Sequence, residues 1–128
     1  MGFDHCSFQV SDMKKAIDFY QSKLGFRLLS LNINENVREE YAFLDYNGAR
    51  LELIADLDGN FVKPAITNHF CPHFCFEVED LAQMIETLKA NSIEIIGGPH
   101  MHEGEETWLY IKDEDNNVME YIQWFHKK

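Results

Sequence analysis

Basic residues are scarce in this sequence, and their scarcity argues against one large class of partner. Eleven Lys and Arg stand against 22 Asp and Glu in 128 residues, which gives a formal net charge of −11. A protein that binds nucleic acid needs clustered basic side chains for the phosphates. The one basic cluster here is the pair Lys127-Lys128. The composition therefore predicts no nucleic-acid partner.

Cysteine is also scarce, and long apolar runs are missing. The three cysteines, Cys6, Cys71 and Cys75, are an odd number and too few for a disulfide framework. No apolar run approaches the roughly 20 residues that cross a bilayer. The first residues show no basic stretch followed by an apolar one, so we predict no secretory signal. These features predict a cytoplasmic protein that does not enter a membrane.

What the chain does contain is an internal repeat. A shift of 68 residues aligns its two halves without a gap, and the aligned positions include two His–Glu pairs. His5 falls on His73 and Glu52 falls on Glu120. In each half, 47 positions separate the histidine from the glutamate. A repeated spacing of this kind is a stronger signal than matches of one apolar residue on another.

Each half also carries the same order of predicted elements, which is βαβββ. Alternating apolar residues predict strands, a 3.6-residue period predicts one helix, and Gly, Asn and Pro mark the turns. We take Ser11 as the cap of a helix that starts at Asp12 and ends at Gly25. The predicted strands are 3–10, 26–33, 38–45 and 50–55 in the first half, and 73–78, 93–96, 107–112 and 118–124 in the second half, where the helix is 81–90.

These elements predict an α+β fold. Two tandem βαβββ modules would form a curved mixed sheet with the helices on its outer side. The first module would span 1–56 and the second 72–128, with 57–71 as the linker, all within one domain. Apolar residues (45%) and charged residues (26%) are in the ordinary proportion for a globular chain of this length.

Strand alternation predicts which way the repeated residues face. In the first strand, Phe8 and Val10 suit the side under the helix, so His5 faces the opposite side. Glu52 lies between two leucines and Glu120 between two other apolar residues, so both carboxylates also face away from the helix. Taken singly, each residue would most simply be a surface group. Taken together, the four favour a metal site.

Two imidazoles and two carboxylates suit a borderline divalent ion. His5, Glu52, His73 and Glu120 are thus the predicted ligands of one divalent ion per site, with zinc, nickel, cobalt, manganese and iron all compatible. Four protein ligands would leave an octahedral ion an open position for substrate. A rival set, His69-x-Cys71-x-His73-x-Cys75, would stretch over roughly 20 Å along a strand, which is too far for one ion unless the chain bends at Pro72.

The remaining histidines and cysteines receive simpler interpretations. His100 and His102 fall in a predicted loop after Gly97-Gly98-Pro99. They are either substrate contacts or plain loop residues. Cys6 and Cys71 are interpreted as inert packing thiols, and Cys75 as part of the cavity lining.

At these positions the sequence resembles the glyoxalase/bleomycin-resistance/dioxygenase superfamily, also called vicinal oxygen chelate proteins. The motifs that carry the resemblance extend over nearly the whole chain. They are Asp4-His5, Ser11-Asp12-Met13, Ile17-Asp18-Phe19-Tyr20 with Leu24-Gly25-Phe26, Leu51-Glu52-Leu53-Ile54, His73-Phe74-Cys75-Phe76-Glu77-Val78, and Asp113-Glu114-Asp115-Asn116-Asn117-Val118-Met119-Glu120.

The His/Glu/His/Glu set is most similar to that of the short bacterial glyoxalase I, lactoylglutathione lyase. The resemblance implies a homodimer in which His5 and Glu52 of one subunit complete a site with His73 and Glu120 of the other. It implies a metal that polarises two vicinal oxygens of a glutathione hemithioacetal. Glu120 or Glu52 would then act as the catalytic base that shuttles a proton between neighbouring carbons.

The chain departs from that pattern where glutathione would bind. Short bacterial glyoxalases usually have Arg and Asn at the positions of Gln9 and Asp56, and a basic residue in the late loop, which here is acidic around His102. The loss of these charge-assisted bonds disfavours glutathione as the substrate. The predicted substrate-binding residues are Gln9, Asp56, Cys75, His102 and Trp108.

Two other classes stay open at this point. One is another chelate-using enzyme, such as an epimerase, a thiol transferase or an iron(II) dioxygenase. The other is a non-catalytic binding protein of the bleomycin-resistance type, which generally lacks the four ligands.

Overall fold

The computed structural model describes all 128 residues and divides into two compact units. The first unit is Met1–Pro64 and the second is Ala65–Lys128. The finer boundaries, with modules at 1–56 and 72–128, stay a prediction. No helix in the structure has both the length and the apolar character that a membrane crossing would require.

The first unit is a four-stranded mixed sheet with one helix. Strand β1 is parallel to β4, and the other neighbouring strands are antiparallel, in the order β1-β4-β3-β2. Helix α1 contacts β3 and β4 and continues into a π-helical turn at Phe19–Lys23. The elements are β1 Cys6–Gln9, α1 Met13–Asp18, β2 Arg27–Asn34, β3 Glu39–Tyr46 and β4 Ala49–Asp56.

The second unit repeats this arrangement. A short 3-10 turn at Asn68–Phe70 precedes a sheet of order β5-β8-β7-β6, in which β5 and β8 are parallel. Its elements are β5 His73–Glu77, α2 Leu81–Ala90, β6 Gly97–His102, β7 Glu106–Lys112 and β8 Val118–Trp124. The predicted α+β class with two tandem βαβββ modules is therefore confirmed.

Two local predictions were wrong. The N-cap of α1 is Asp12, whose carboxylate accepts a hydrogen bond from the Lys15 amide at 3.1 Å, and Ser11 lies one residue too early to do so. The strand predicted at 93–96 is instead β6, at Gly97–His102. Gly and Pro suggested a loop there, but β6 is an edge strand, where both residues are tolerated.

One face of each sheet builds the core, which leaves the other face for polar groups. Strand β4 alternates between buried and half-buried residues, and its leucines lie under α1 while Glu52 lies opposite. Strand β8 does the same with buried Met119 and Tyr121 on either side of Glu120. The largest fully buried side chains are Val10, Tyr20, Leu44, Leu51 and Leu53 in the first unit, and Leu88, Leu109, Ile111 and Met119 in the second.

Candidate metal centre

The first His–Glu pair lies at the parallel contact of β1 and β4. His5 directly precedes β1, and its Nε2 is 3.4 Å from Oε1 of Glu52. Strand pairing places Ser7 opposite Glu52, and the Ser7 hydroxyl donates a hydrogen bond to the same oxygen at 2.7 Å. The fold thus brings together a histidine and a carboxylate that are 47 positions apart in sequence.

A carboxylate behind His5 orients its ring. Nδ1 of His5 is 2.7 Å from Oδ2 of Asp4, and an ionised carboxylate can only accept, so Nδ1 carries the hydrogen and Nε2 faces Glu52. Arg50 donates to both oxygens of Asp4, at 3.0 and 2.8 Å. The bond to His5, together with the nearby Arg50 charge, holds the pKa of the Asp4 carboxyl below its usual value.

The second pair lies at the equivalent contact of β5 and β8. His73 Nε2 is 2.8 Å from Oε1 of Glu120. Its Nδ1 is 2.9 Å from the carbonyl oxygen of Phe70, which can only accept, so Nδ1 again carries the hydrogen. If the imidazole is neutral, Nε2 carries no hydrogen, and its lone pair faces a carboxylate oxygen that carries none either. Such a contact requires a shared proton or a cation.

An aromatic ring lies beside each histidine. Phe43, paired with Glu52 in the register, meets His5 edge-on with ring centroids 5.0 Å apart. Tyr110, paired with Glu120, meets His73 edge-on at 5.3 Å. Phe70 stacks on Tyr110 at 4.4 Å, and Gly97 leaves room for this ring because a Cβ there would lie 2.8 Å from it. The two units therefore repeat the surroundings of the pair as well as the pair itself.

The donor atoms fit a divalent ion as pairs. Two donors bound at right angles to one ion, each at about 2.1 Å, lie about 3.0 Å apart. The observed separations of 2.8 and 3.4 Å bracket that value. The structure brings His5 to Glu52 and His73 to Glu120, each pair within its own unit. It does not assemble three or more His, Cys, Asp or Glu side chains into one group that could hold an ion.

Cys75 lies beside the second pair. It faces Glu120 in the β5–β8 register. Cys75 is exposed as a residue, but the desolvation of its sulfur, followed by the Glu120 charge, raises the thiol pKa to about 12. Burial and the same carboxylate raise the pKa of Tyr110. Both groups are therefore neutral at physiological pH and add no negative charge beside Glu120.

Two predicted substrate contacts lie on the same sheet face as Glu120. Trp108 lies two residues before Tyr110 on β7, and so on the same face of that strand. His102 lies on β6, with its Nδ1 3.5 Å from Oε2 of Glu106, so its predicted place in a loop was wrong. His100 packs its ring 5.5 Å from that of Trp108. These side chains lie next to one another on the sheet face that carries the second pair.

The other two predicted contacts are in the first unit. Gln9 is exposed on β1, on the same side as Ser7. Asp56 ends β4, and its Oδ1 accepts a hydrogen bond from the Asp58 amide at 2.7 Å, so its carboxylate caps the following turn. Neither residue supplies a positive charge to the site face.

The rival His/Cys set does not assemble. Cys71 donates to the His69 carbonyl at 3.4 Å and lies 3.9 Å from Nδ1 of His73, but these residues form no group that could hold an ion. All three cysteines are free. Cys71 is exposed, so its interpretation as a packing thiol was wrong, whereas Cys6 is half-buried.

Sequence reasoning missed several residues around the pairs. Ser7 was within its reach, since the 68-residue shift aligns it with Cys75, which was predicted to line the cavity. Phe43 and Tyr110 were not, because Phe43 lies nine positions before Glu52 and Tyr110 lies ten before Glu120, which an ungapped shift cannot align. The roles of Asp4 and of the Phe70 carbonyl depend on distances that no spacing rule supplies.

Comparison with known proteins shows which family the sequence matches. The sequence model of the Glyoxalase/Bleomycin resistance protein/Dioxygenase superfamily matches residues 2–121. A probable lactoylglutathione lyase of Vibrio cholerae is 28% identical over 121 residues, covering 93% of this chain and 88% of that protein. A lactoylglutathione lyase of Neisseria meningitidis is 26% identical over 122 residues, covering 93% and 88%.

Solved structures share the fold. A glyoxalase family protein from Enterococcus faecalis has a TM-score of 0.77 at 22% identity, covering 94% of this chain and 96% of that one.

Proposed function

We propose that this chain is a divalent-metal-dependent lyase or isomerase of the glyoxalase I type. The chain belongs to the Glyoxalase/Bleomycin resistance protein/Dioxygenase superfamily, and the proposal proceeds from that membership. Its curated relatives at 25–28% identity include lactoylglutathione lyases, which supports this reaction class. We propose His5, Glu52, His73 and Glu120 as the ligands of one ion per site. A cytoplasmic location is part of the proposal, since few and unpaired cysteines favour a reducing compartment.

One observation carries the proposal: in both units a carboxylate oxygen faces the bare nitrogen of a histidine. In the second unit the two atoms are 2.8 Å apart, and the hydrogen of His73 is already donated to the Phe70 carbonyl. In the first unit, the Asp4 carboxylate accepts the hydrogen of His5 Nδ1 in the same way. A ligating histidine commonly donates its second nitrogen to a carboxylate or a carbonyl, which fixes the free nitrogen towards the metal.

The proposed chemistry is an internal proton transfer. A divalent ion held by the four side chains would act as a Lewis acid on two neighbouring oxygens of the substrate and acidify the C–H of one of the two carbons that bear them. One of the two glutamates takes that proton and returns it to the adjacent carbon, so no proton is gained or lost overall. Both carboxylates are half-buried, with side-chain exposures of 16% and 13%, and each lies within 3.4 Å of its histidine.

The proposed substrate is a hemithioacetal of a small 2-oxoaldehyde and a thiol. Gln9 and Asp56 offer no cation to a carboxylate of that thiol, and Arg50 is already paired with Asp4. We therefore propose a thiol with fewer anionic groups than glutathione. An unfavourable charge at 4 Å costs up to about 4 kcal/mol at an effective dielectric of about 20, which disfavours a thiol that would place a carboxylate near Asp56.

Metal analysis with an activity assay tests the proposal. The purified protein is loaded with nickel, cobalt or zinc and supplied with hemithioacetals of glutathione, cysteine and a neutral thiol. We expect one bound ion per site and turnover that disappears in the double variant His5→Ala, Glu120→Ala. The matched control is His126→Ala, Glu79→Ala, which removes the same two residue types from exposed positions. Full metal content in the first double variant would refute the assigned ligands.

The same assay separates the alternatives. A metal-loaded protein that converts no thiol adduct would exclude the glyoxalase reaction and leave another chelate-dependent reaction. A protein that binds no ion under any condition would instead favour the non-catalytic binding class.

A further inference from the structure

Strand β2 is an edge strand that is open on its outer side. It is last in the sheet order and is hydrogen-bonded to β3 on one side only. Its eight residues make it the longest edge strand in the molecule, since β1, β5 and β6 have four, five and six. A long open edge presents a row of backbone N–H and C=O groups with which another strand can pair.

The side chains along this edge are apolar and partly exposed. Leu31 is paired with buried Ala42, so Leu31 and Ile33 project from the side of the sheet that carries the core. They are nevertheless 47% and 54% exposed, and Leu29, at the bulge of the strand, is 41% exposed. Helix α1 contacts β3 and β4, which leaves this apolar row on β2 partly uncovered. Apolar side chains that are exposed next to one another mark an interaction surface.

The corresponding edge strand of the second unit is protected, whereas β2 is not. Strand β6 contains Pro99, which has no N–H to donate, and its register with β7 shifts around that residue. A proline, a bulge and a short length are features that keep edge strands from pairing. Strand β2 has no proline, and its one shift, between Leu28 and Ser30, leaves regular pairing over 30–34.

The charges at the two ends of β2 suit a second copy of the same strand. Arg27 begins the strand and Glu35 follows its end, with side chains that are 73% and 72% exposed. Each also has a contact in its own chain, since Arg27 is 3.9 Å from Asp45 and Glu35 is 2.7 Å from Arg38. No other charged residue lies between Arg27 and Glu35, so this segment is neutral in a chain with a net charge of −11. It therefore avoids the repulsion between two acidic chains.

We propose that β2 is an interface between two copies of this chain, which pair edge to edge and antiparallel across a two-fold axis at Leu31. A two-fold contact of this kind uses the same surface of both copies. The axis places Leu31 against Leu31, Leu29 against Ile33, and Arg27 beside Glu35. The two four-stranded sheets would then continue into each other.

This contact is independent of the proposed function. In the order β1-β4-β3-β2, it lies at the opposite edge of the sheet from β1 and the first His–Glu pair. The two edges can be occupied at the same time. A chain that also shared its metal sites with another subunit would therefore form at least a tetramer.

Disulfide trapping tests the proposed register. Facing residues of an antiparallel pair have Cα atoms about 4.5–5.5 Å apart, which a disulfide can bridge. Leu31→Cys is made in a Cys71→Ser background, because Cys71 is an exposed native thiol. We expect mild oxidation to convert most of this variant into a covalent dimer on non-reducing electrophoresis. Met101→Cys in the same background is the matched control, since Met101 lies on β6 and is 62% exposed, and it should cross-link far more slowly.

Added charge tests the contact without a cysteine. The double variant Leu31→Lys, Ile33→Lys places positive charges against their own copies at the axis. We expect it to halve the particle mass measured by light scattering, from a dimer to a single chain or from a tetramer to a dimer. The double variant Val62→Lys, Met101→Lys adds the same charge at exposed apolar positions outside β2 and should keep the wild-type mass. Circular dichroism establishes that both variants fold.

Three results would each overturn the proposal. They are a wild-type protein that stays a single chain as its concentration rises, a mass that the two lysines on β2 leave unchanged, and equal cross-linking of Leu31→Cys and Met101→Cys. None of these measurements requires a bound metal. The proposed reaction can therefore fail while this interface stands, and the interface can fail while the reaction stands.

Discussion

Each histidine of the candidate centre has its hydrogen placed by a residue that is not itself a proposed ligand. Asp4 does this for His5 from the adjacent position in the chain, and the Phe70 carbonyl does it for His73 from three residues upstream. The two solutions differ chemically, because one acceptor is charged and the other is not. A charged acceptor makes the imidazole more basic and so a stronger ligand.

Removing the charged acceptor should therefore weaken metal binding. Asp4→Ala is expected to lower the affinity for nickel or zinc by 10- to 100-fold, the usual effect of losing such a partner. A competition titration with a chelator measures this change. Asp18→Ala, which removes an exposed carboxylate from α1, is the control and should bind the ion as the wild type does. Equal affinities in the two variants would contradict the role of Asp4.

Cys75 should be unreactive despite its exposure. A thiol pKa of about 12 leaves roughly one molecule in ten thousand as thiolate at pH 8, and only the thiolate is alkylated. Iodoacetamide should thus modify exposed Cys71 far faster than Cys75 in the folded protein, as peptide mass spectrometry would show. In denaturant the two rates should converge. Because the Glu120 charge contributes to the raised pKa, Glu120→Gln should make Cys75 more reactive, and an unchanged rate would contradict that contribution.

The four proposed ligands could be predicted from their spacing in the sequence. The groups that orient the two histidines could not. The His-to-Glu spacing of 47 positions, repeated in both halves, points to His5, Glu52, His73 and Glu120, and strand alternation fixes the face of each side chain. Which nitrogen of an imidazole faces a carboxylate depends on rotamers and on contacts such as Phe70 to His73. Those are set by packing among residues far apart in sequence, which periodicity does not describe.

Among the elements, the two helices begin alike. Asp12 and Asp80 each accept a hydrogen bond at 3.1 Å from the amide three residues later. Asp12→Ala and Asp80→Ala should each lower the free energy of unfolding by about 1 kcal/mol, as measured by urea denaturation. Glu79→Ala, an exposed change beside the second cap, should stay within about 0.5 kcal/mol of wild type. A loss for Glu79→Ala equal to that for Asp80→Ala would argue against capping.

Strand β6 supports the candidate centre because Gly97, which has no side chain, leaves room for the Phe70 ring. A Cβ at Gly97 would lie 2.8 and 2.9 Å from the Phe70 ring, so Gly97→Ala must displace Phe70, whose carbonyl holds His73. We expect a loss of about 1–3 kcal/mol of stability and weaker metal binding. Adding Phe70→Ala removes the clash, so the double variant should be more stable than the sum of the single losses predicts. Strict additivity would show that the contact is not responsible.

The elements were predicted best where the pattern was long and regular. Helix α2 and strand β8 have the predicted bounds, Leu81–Ala90 and Val118–Trp124. Strand β6 was misplaced because its pairing with β7, and not its own composition, makes it a strand. The π-helical turn at Phe19–Lys23 was also missed, since its apolar spacing resembles that of an ordinary helix.

At the scale of the whole molecule, the proposed homodimer makes a quantitative prediction. One variant carries His5→Ala and Glu52→Ala, and the other carries His73→Ala and Glu120→Ala. Each alone should be inactive. If sites form between subunits, random mixing gives half heterodimers with one intact site in two, and so about a quarter of wild-type activity. Sites formed within one chain would give no recovery, and co-purification of an affinity-tagged variant with its untagged partner would confirm that subunits had exchanged.

The parallel pairing of the first and last strand in each unit has a consequence for synthesis. The histidine emerges from the ribosome first, and its glutamate follows 47 residues later. At 5–20 residues per second, about 2 to 10 s pass before β1 can meet β4, and β5 waits as long for β8. A nascent or truncated unit therefore lacks one member of its proposed ligand pair, and both members are present only once that unit's last strand has been made.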